Sequence, residues 1–313
     1  MKRLIFVPQY PTPMRYQEWW ASEFPKQFAK MGFHVHVLGS KKMKVKRGNT
    51  EMFSPINAAI EFECSQIDEY MNMELRHDDI LFVADVSFPG FFMNVLYHKR
   101  PSKIFSFCHA TSINKFDYFE AVKNCKYPVE TSHAALCDKV FVGSKYHQNK
   151  LHWNNTIITY LPFPPFKSFP DEEKTIDIIS ASRPTPQKVD LVLEREVEKK
   201  FGKIKRMECD TWEQYYKFLG QSKILLITAN EDTFGYQIVD AISNGCVPIA
   251  RNSLAYPEIL SSEYLYDSKW ELIYIIDKIL NKDYHYQSPK ILCEKQMDNF
   301  YKKIASEMKG EYS

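Results

Sequence analysis

The chain has 313 residues, a formal net charge of +2, 44% hydrophobic and 26% charged residues. This composition excludes a disordered chain and leaves room for two domains that each bury a core, and no apolar run approaches a membrane span. Near-balanced charge gives no global pull on a polyanion, so any basic site is local. The first element in chain order is a strand at 3–9, "RLIFVPQ", ended by Pro8. "WWASEFPKQFAKMG" has helical apolar spacing and stops at Gly32. "FHVHVLG" (33–39), "AIEFECS", "DILFVAD" (79–85), "KIFSFCHA" (103–110) and "KVFVGS" (139–144) read as further strands. Short buried strands alternating with helices indicate parallel sheets covered on both faces.

The segment "YLPFPPFKSFPDEEKT" (160–175) carries four prolines and cannot be a regular element. Beyond it the pattern restarts. Strands are expected at 175–181, in "GKIKRM", at 223–229 and at 247–250. Helices are expected at about 189–200, in "TWEQYYKFLG", at 235–244, 270–281 and 289–308. The expected fold class is α/β, two Rossmann-like domains whose parallel sheets face one cleft. Residues 1–166 form the first domain, 167–290 the second, and 291–313 a C-terminal helix crossing back to the first. Ligands of such sheets bind beyond the carboxyl ends of the strands.

The seven cysteines are scattered and none forms a C-x-x-C pair, which suggests neither a disulfide framework nor a zinc knuckle. The N-terminal "MKRLIFVPQYPTP" lacks the long apolar run and small-residue cleavage site of a signal peptide. The expectation is a reduced, cytoplasmic protein. No D-x-D, H-E-x-x-H or G-x-S-x-G pattern occurs, nor a Gly-rich phosphate loop, so no metal site is expected.

Five stretches carry chemistry. In "EDTFGYQIVDAISNGCVPIA" (231–250), Gly235 opens a helix whose free N–H groups favour an anion, and Gly permits close approach of a ligand. Asp240 lies more than a turn inside, where a carboxylate suits paired hydroxyls, and Asp232 precedes the helix. Plain helix capping by Asp232 or Thr233 is the competing reading. In "SASRPTPQKVD" (180–190), Arg183 and Lys188 can clamp a diphosphate, one as a planar fork and the other as a point charge. His109 ends a buried strand, where it either faces the cleft or is structural. The run "KKMKVKR" puts Lys41, Lys42, Lys44, Lys46 and Arg47 on a loop suited to a phosphate backbone, to anionic lipid, or to solvent alone. "PMRYQEWW" brings Arg15, Tyr16 and Trp19, whose rings either stack on sugars or bases or pack into the core.

Taken in order, these pieces resemble the retaining GT-B glycosyltransferases of the family 4 type. The family's "GR-x4-K" is matched by "SRPTPQK", with Ser182 in place of Gly. Its "E-x-F-G-x4-E-A-x3-G-x-P" is matched by "DTFGYQIVDAISNGCVP", with Asp at both acidic positions, and its "PE" by Pro257-Glu258. "GFHVHVLG", "CDKVFVGSKYHQNKL" and His109 extend the resemblance into the first half.

The resemblance implies a UDP- or GDP-linked sugar as donor substrate, no permanently bound cofactor and no metal. Arg183 and Lys188 would hold the diphosphate and stabilise the leaving group, with Phe234, Gly235 and Tyr236 close by. Asp240 would take the ribose, Asp232 or Glu231 would orient the sugar, and His109 would touch it from the first domain. Arg15, Tyr16, Trp19 and the basic run would lie on the acceptor side. The block from Gly245 to Tyr266 is similar to the branch that mannosylates the modified base queuosine in tRNA, although its companion Phe-His-Glu-Asn stretch is here "FCHATS". The preferred acceptor is a modified base in DNA or RNA, as in viral DNA-glucosylating enzymes. A polysaccharide or lipid-linked saccharide at a membrane surface is the runner-up. An epimerase and a non-catalytic binding protein are further alternatives.

Overall fold

The computed structural model describes residues 1–39, 56–87, 100–117, 119–281 and 289–311. Six strands build the first sheet: β1 (Arg3–Val7), β2 (His34–Val37), β3 (Ile80–Val83), β4 (Lys103–Cys108), β5 (Lys139–Val142) and β6 (Thr156–Ile158). Their order is β2-β1-β3-β4-β5-β6, and every pairing is parallel. The second sheet contains β7 (Ile176–Ser180), β8 (Lys205–Arg206), β9 (Ser222–Leu226), β10 (Val247–Arg251) and β11 (Leu265–Tyr266). Its order is β11-β10-β9-β7-β8, again all parallel. The strand order reverses between β1 and β3 in one sheet and between β7 and β9 in the other. Such reversals open the crevices where ligands sit.

Helices cover these sheets: α1 (Tyr16–Lys30), α2 (Ile56–Met71), α3 (Lys123–Leu136) and α4 (Lys145–Leu151) in the first half. In the second are α5 (Leu191–Phe201), α6 (Trp212–Gly220), α7 (Tyr236–Ser243) and α8 (Lys269–Leu280), followed by α9 (Glu294–Asp298) and α10 (Phe300–Lys309). Successive strand residues point to opposite faces, and the burial follows that alternation. Leu4 and Phe6 of β1 enter one core, while Ile5 and Val7 enter another. In the second sheet Ile179 and Leu225 share the core of Leu4 and Phe6, whereas Ile178 and Ile224 pack under α5 and α8. One apolar layer therefore runs from sheet to sheet. Helix α10 joins it: the Phe300 ring lies 5.6 Å from Phe24 of α1, and Lys303 Nζ donates to the Ile158 carbonyl at 2.7 Å.

Three expected elements differ. "AIEFECS" belongs to α2, and Phe62, Gln66 and Tyr70 along it are buried at a four-residue repeat, the period of a helix. The window of seven residues was too short to separate that period from alternation. "GKIKRM" yields only the two-residue β8. The last expected helix is broken at Asn299 into α9 and α10.

Candidate active site

Beyond the carboxyl ends of β7 and β9, two loops meet. The first folds on itself: Thr185 N–H donates to the Arg183 carbonyl at 2.7 Å and Lys188 N–H to the Thr185 carbonyl at 2.9 Å. This turn carries Lys188 onto the second loop, where Nζ lies 3.2 Å from Asp232 Oδ2 and donates to the Glu231 carbonyl at 3.3 Å. Arg183 is exposed, yet desolvation lowers its pKa against the raising pull of Asp232 and Tyr16, so its head group lies near both. The turn thus brings Lys188 onto Asp232 and leaves Arg183 within electrostatic reach of it.

The two neighbouring acids have different tasks. Glu231 is only 3% exposed and faces the first half of the chain. Its carboxylate pairs with Lys150 Nζ at 2.5 Å and accepts from Asn114 Nδ2 at 3.0 Å, Tyr146 Oη at 3.2 Å and Lys115 N–H at 3.3 Å. Four donors occupy its lone pairs, which makes it a clasp between the two halves. Asp232 keeps a looser set, with Lys188 and long contacts from Tyr256 Oη at 3.3 Å and Phe234 N–H at 3.4 Å. Of the two acids offered for the sugar, Glu231 is the one whose oxygens are already engaged by donors of the first half, and Asp232 is the more available.

Helix α7 follows. Its neighbours α5, α6 and α8 are capped by the side chains of Asp190, Thr211 and Ser268, whereas α7 begins at Gly235 without a side-chain cap. Gly235 adopts φ +102°, and a Cβ there would lie 2.8 Å from the Tyr256 ring. The glycine is required by its left-handed backbone and by Tyr256, which takes the space expected to admit a ligand. Phe234 is buried, leaving only its backbone for a ligand. Tyr236 turns away from the donor loops: its hydroxyl donates to the Pro162 carbonyl at 3.1 Å and accepts from Trp20 Nε1 at 3.4 Å. From the first turn of α7, facing α1, it ties the two halves together.

Asp240 is buried at 5% exposure and faces α6. Tyr216 Oη donates to Oδ1 at 2.9 Å and Tyr215 Oη to Oδ2 at 3.1 Å. Burial pushes its pKa up to about 7, partly offset by those two hydroxyls. Tyr216 is buried beneath it, and Tyr215 is partly exposed. A ribose reaching this carboxylate therefore meets the tyrosine pair first.

The first sheet presents a different surface. The His109 ring lies among Tyr16, Trp20 and Phe107, at 4.2, 4.4 and 4.6 Å between centroids. Its carbonyl accepts from Thr233 Oγ1 at 2.7 Å, and its buried Nε2 has no partner among the described residues. Burial, then the nearby His147, push its pKa well below the ordinary value, so the ring is neutral at pH 7. Beneath Tyr16, buried Asp85 accepts from Gln9 Nε2 at 2.6 Å and Ser87 N–H at 3.1 Å, and burial raises its pKa to about 7. Arg15 enters the cleft at the start of α1; burial, then the charge of Arg183, lower its pKa to about 10. The guanidiniums of the two halves thus lie within electrostatic reach of each other. Trp19 is corrected from the acceptor side to the core: α1 turns it inward against Tyr236, at 5.9 Å. Lys41, Lys42, Lys44, Lys46 and Arg47 lie outside the described residues.

Several contributors were not singled out in the sequence. Lys150, Tyr146 and Asn114 become visible only through Glu231. Glu258 accepts from the backbone N–H groups of Lys145 and Tyr146 at 2.8 and 2.7 Å, so an acid of the second half caps the positive end of α4 in the first. The available signal was the Pro257-Glu258 pair, which carried no partner with it. Among the described residues no group of His, Cys, Asp and Glu is arranged to hold a metal ion.

No protein-family model matches the chain. A stretch of 101 residues, 32% of this chain, is 33% identical to the tRNA-queuosine alpha-mannosyltransferase of Drosophila melanogaster and spans 23% of that protein. Over 98% of its length the chain superposes on 95% of HepE from Anabaena, solved with UDP and glucose, at a TM-score of 0.64 and 13% identity. The lipopolysaccharide outer core galactosyltransferase WaaB gives a TM-score of 0.63 at 11% identity, covering 98% of both chains. Trehalose-6-phosphate synthase OtsA gives 0.61 at 12% identity, covering 99% of this chain and 100% of OtsA. With two parallel α/β sheets meeting across one crevice, and these superpositions along nearly its whole length, the chain has the GT-B fold of the glycosyltransferases.

Proposed function

We propose that this chain is a glycosyltransferase that moves a sugar from a nucleoside-diphosphate sugar to an acceptor hydroxyl, the preferred acceptor being a modified base in DNA or RNA. The observation that carries the reading is the pairing of Lys188 with Asp232 at the β7–β9 reversal, with Arg183 within electrostatic reach and the uncapped start of α7 alongside. In this reading the diphosphate displaces Asp232 from Lys188. Lys188 and Arg183 then neutralise the charge that develops as the anomeric C–O bond breaks, with Arg15 contributing from the opposite wall. The backbone N–H groups at the start of α7 add to the same pole. Asp232, freed from Lys188, orients the sugar against His109, a neutral contact rather than a proton carrier at pH 7. The acceptor oxygen forms the new bond to the anomeric carbon, and its proton leaves with the nucleoside diphosphate. Retention of configuration, independence of metal and a cytoplasmic setting belong to this proposal through the family pattern. Three cations and a helix start around one space supply the charge that a metal supplies elsewhere.

Support for a nucleic-acid acceptor comes from the 101-residue stretch shared with a tRNA-queuosine mannosyltransferase. The alternative acceptor, a saccharide, draws on the superposition with a lipopolysaccharide galactosyltransferase. The test is a thermal-shift panel of UDP-, GDP- and ADP-sugars, since a ligand of the native state alone raises its stability. One class of donor is expected to raise Tm; a flat panel sinks the reading. Mass spectrometry of tRNA and DNA incubated with the stabilising donor then seeks a hexose or pentose mass increment on a base.

A further inference from the structure

One loop carries a ring that the fold does not use. Residues 111–117 leave β4 and are tightly held. Thr111 N–H donates to Asn114 Oδ1 at 2.9 Å, Asn114 N–H returns to the Thr111 carbonyl at 3.0 Å, and Asp117 N–H reaches the Asn114 carbonyl at 3.0 Å. Phe116 N–H donates to the Glu120 carboxylate. Within this frame Phe116 adopts φ +60°, a left-handed conformation unfavourable for a bulky residue. The residue is 42% exposed, with Lys115 Nζ 5.0 Å from the ring centroid. A scattered exposed phenylalanine is ordinary; one held out on a strained, hydrogen-bonded loop is not.

The position is at the mouth of the cleft. Asn114 and Lys115, the two residues before the ring, both bond to Glu231, and Glu231 N–H donates to the Gln187 carbonyl of the Arg183–Lys188 loop. That loop runs straight into Leu191 and Val192, which are 47% and 72% exposed. The two rims meeting at Glu231 therefore each display apolar surface beside the cationic pole.

We propose that Phe116 is the stacking platform for the acceptor: a nucleobase from an unpaired stretch of nucleic acid lies on its ring, Lys115 faces the adjoining phosphate, and Leu191 and Val192 close the mouth from the other rim. The proposal rests on the glycosyltransferase reading and names its acceptor site. Stacking of a base on an aromatic ring tolerates any sequence and is lost on truncation.

The test measures binding of a single-stranded ten-nucleotide oligouridylate, with UDP present, at several salt concentrations. Phe116→Ala is expected to weaken binding about tenfold with an unchanged salt slope, and Phe116→Trp to retain it. Phe116→Asn, which tolerates the left-handed backbone, should weaken binding as Ala does while leaving Tm at or above that of the parent protein. Binding by Phe116→Ala within twofold of the parent overturns the platform. So does an oligouridylate that fails to bind the parent, or a dependence on Phe116 seen with maltoheptaose instead. The thermal shift by UDP, measured on the same samples, separates the two failures: if it persists without strand binding, the donor reading stands and only the acceptor site is wrong.

Discussion

The two sheets share parallel strands and a reversal of order, but their working ends differ in electrostatic character. The second sheet ends in charged loops whose groups are partnered and partly wet: Lys188 on Asp232, Arg183 nearby, an uncapped helix start behind them. The first ends in an aromatic nest where desolvation dominates. His109 is held neutral, Tyr16 is shifted well up by burial, and the Asp85 carboxyl is pushed to about 7. A charged pole binds and stabilises a developing anion; a dry, neutral wall excludes water and leaves a reacting hydroxyl to its proper partner. In the proposed reading, this difference puts the donor on one side of the cleft and the reacting sugar's surroundings on the other.

The largest expected effect breaks the charged pole. Lys188→Ala should lower turnover about 10²–10³-fold, the range for removing one preorganised stabiliser of developing charge. Initial rates at saturating donor check this; a loss below threefold would remove Lys188 from the mechanism. Next comes the junction between the two walls. Lys150→Ala leaves the Glu231 carboxylate buried without its cation and should destabilise by about 3 kcal/mol. Denaturant unfolding measures it, and Glu231→Gln should cost less because it removes the buried charge together with the ion pair, and its amide oxygen still accepts from two of the four donors. An equal loss in both variants would show that the ion pair is not what clasps the halves.

The smallest expected effect sharpens the comparison through pH. The folded-state pKa of Asp240 is raised to about 7 from an unfolded value near 4, so the folded protein binds the extra proton in that window. Its contribution is fully present below about pH 4 and is lost as pH rises through 7. His109 has the opposite sign: its pKa is depressed, so the unfolded state takes up the proton first, and stability falls as pH drops below about 6.5. Asp240→Asn should therefore flatten the decline in Tm between pH 5 and 8 by roughly 3 °C while leaving the acid side unchanged. Tm against pH in parent and variant reads both limbs, and a variant curve parallel to the parent's contradicts the assignment.

Much of the second half was legible because its information is local. Arg183 and Lys188 are five residues apart in one turn, and Asp232, Gly235 and Asp240 follow one strand, so spacing alone predicts that they share an edge. The first half was less legible. Trp19 and Tyr16 sit three residues apart on one helix, and nothing in their order says which ring enters the core and which stacks on His109. For Tyr236 and Glu231 the family resemblance suggested a ligand, and the hydrogen-bonding partners seen in the structure lie more than 70 residues away in the chain.

Alternating strands and helices, the Pro-rich interruption and the Arg-Lys and Asp-Gly spacings determine the α/β pattern and the edge on which chemistry collects, because backbone periodicity and turn geometry act over a few residues. Only the tertiary structure decided which carboxylate is a clasp and which remains beside Lys188. It also decided that Asp240 is sealed by two tyrosines and that Gly235 is demanded by a ring. The reason is physical: burial and the identity of the opposing donor set the state of a charged group, and both come from residues distant in sequence.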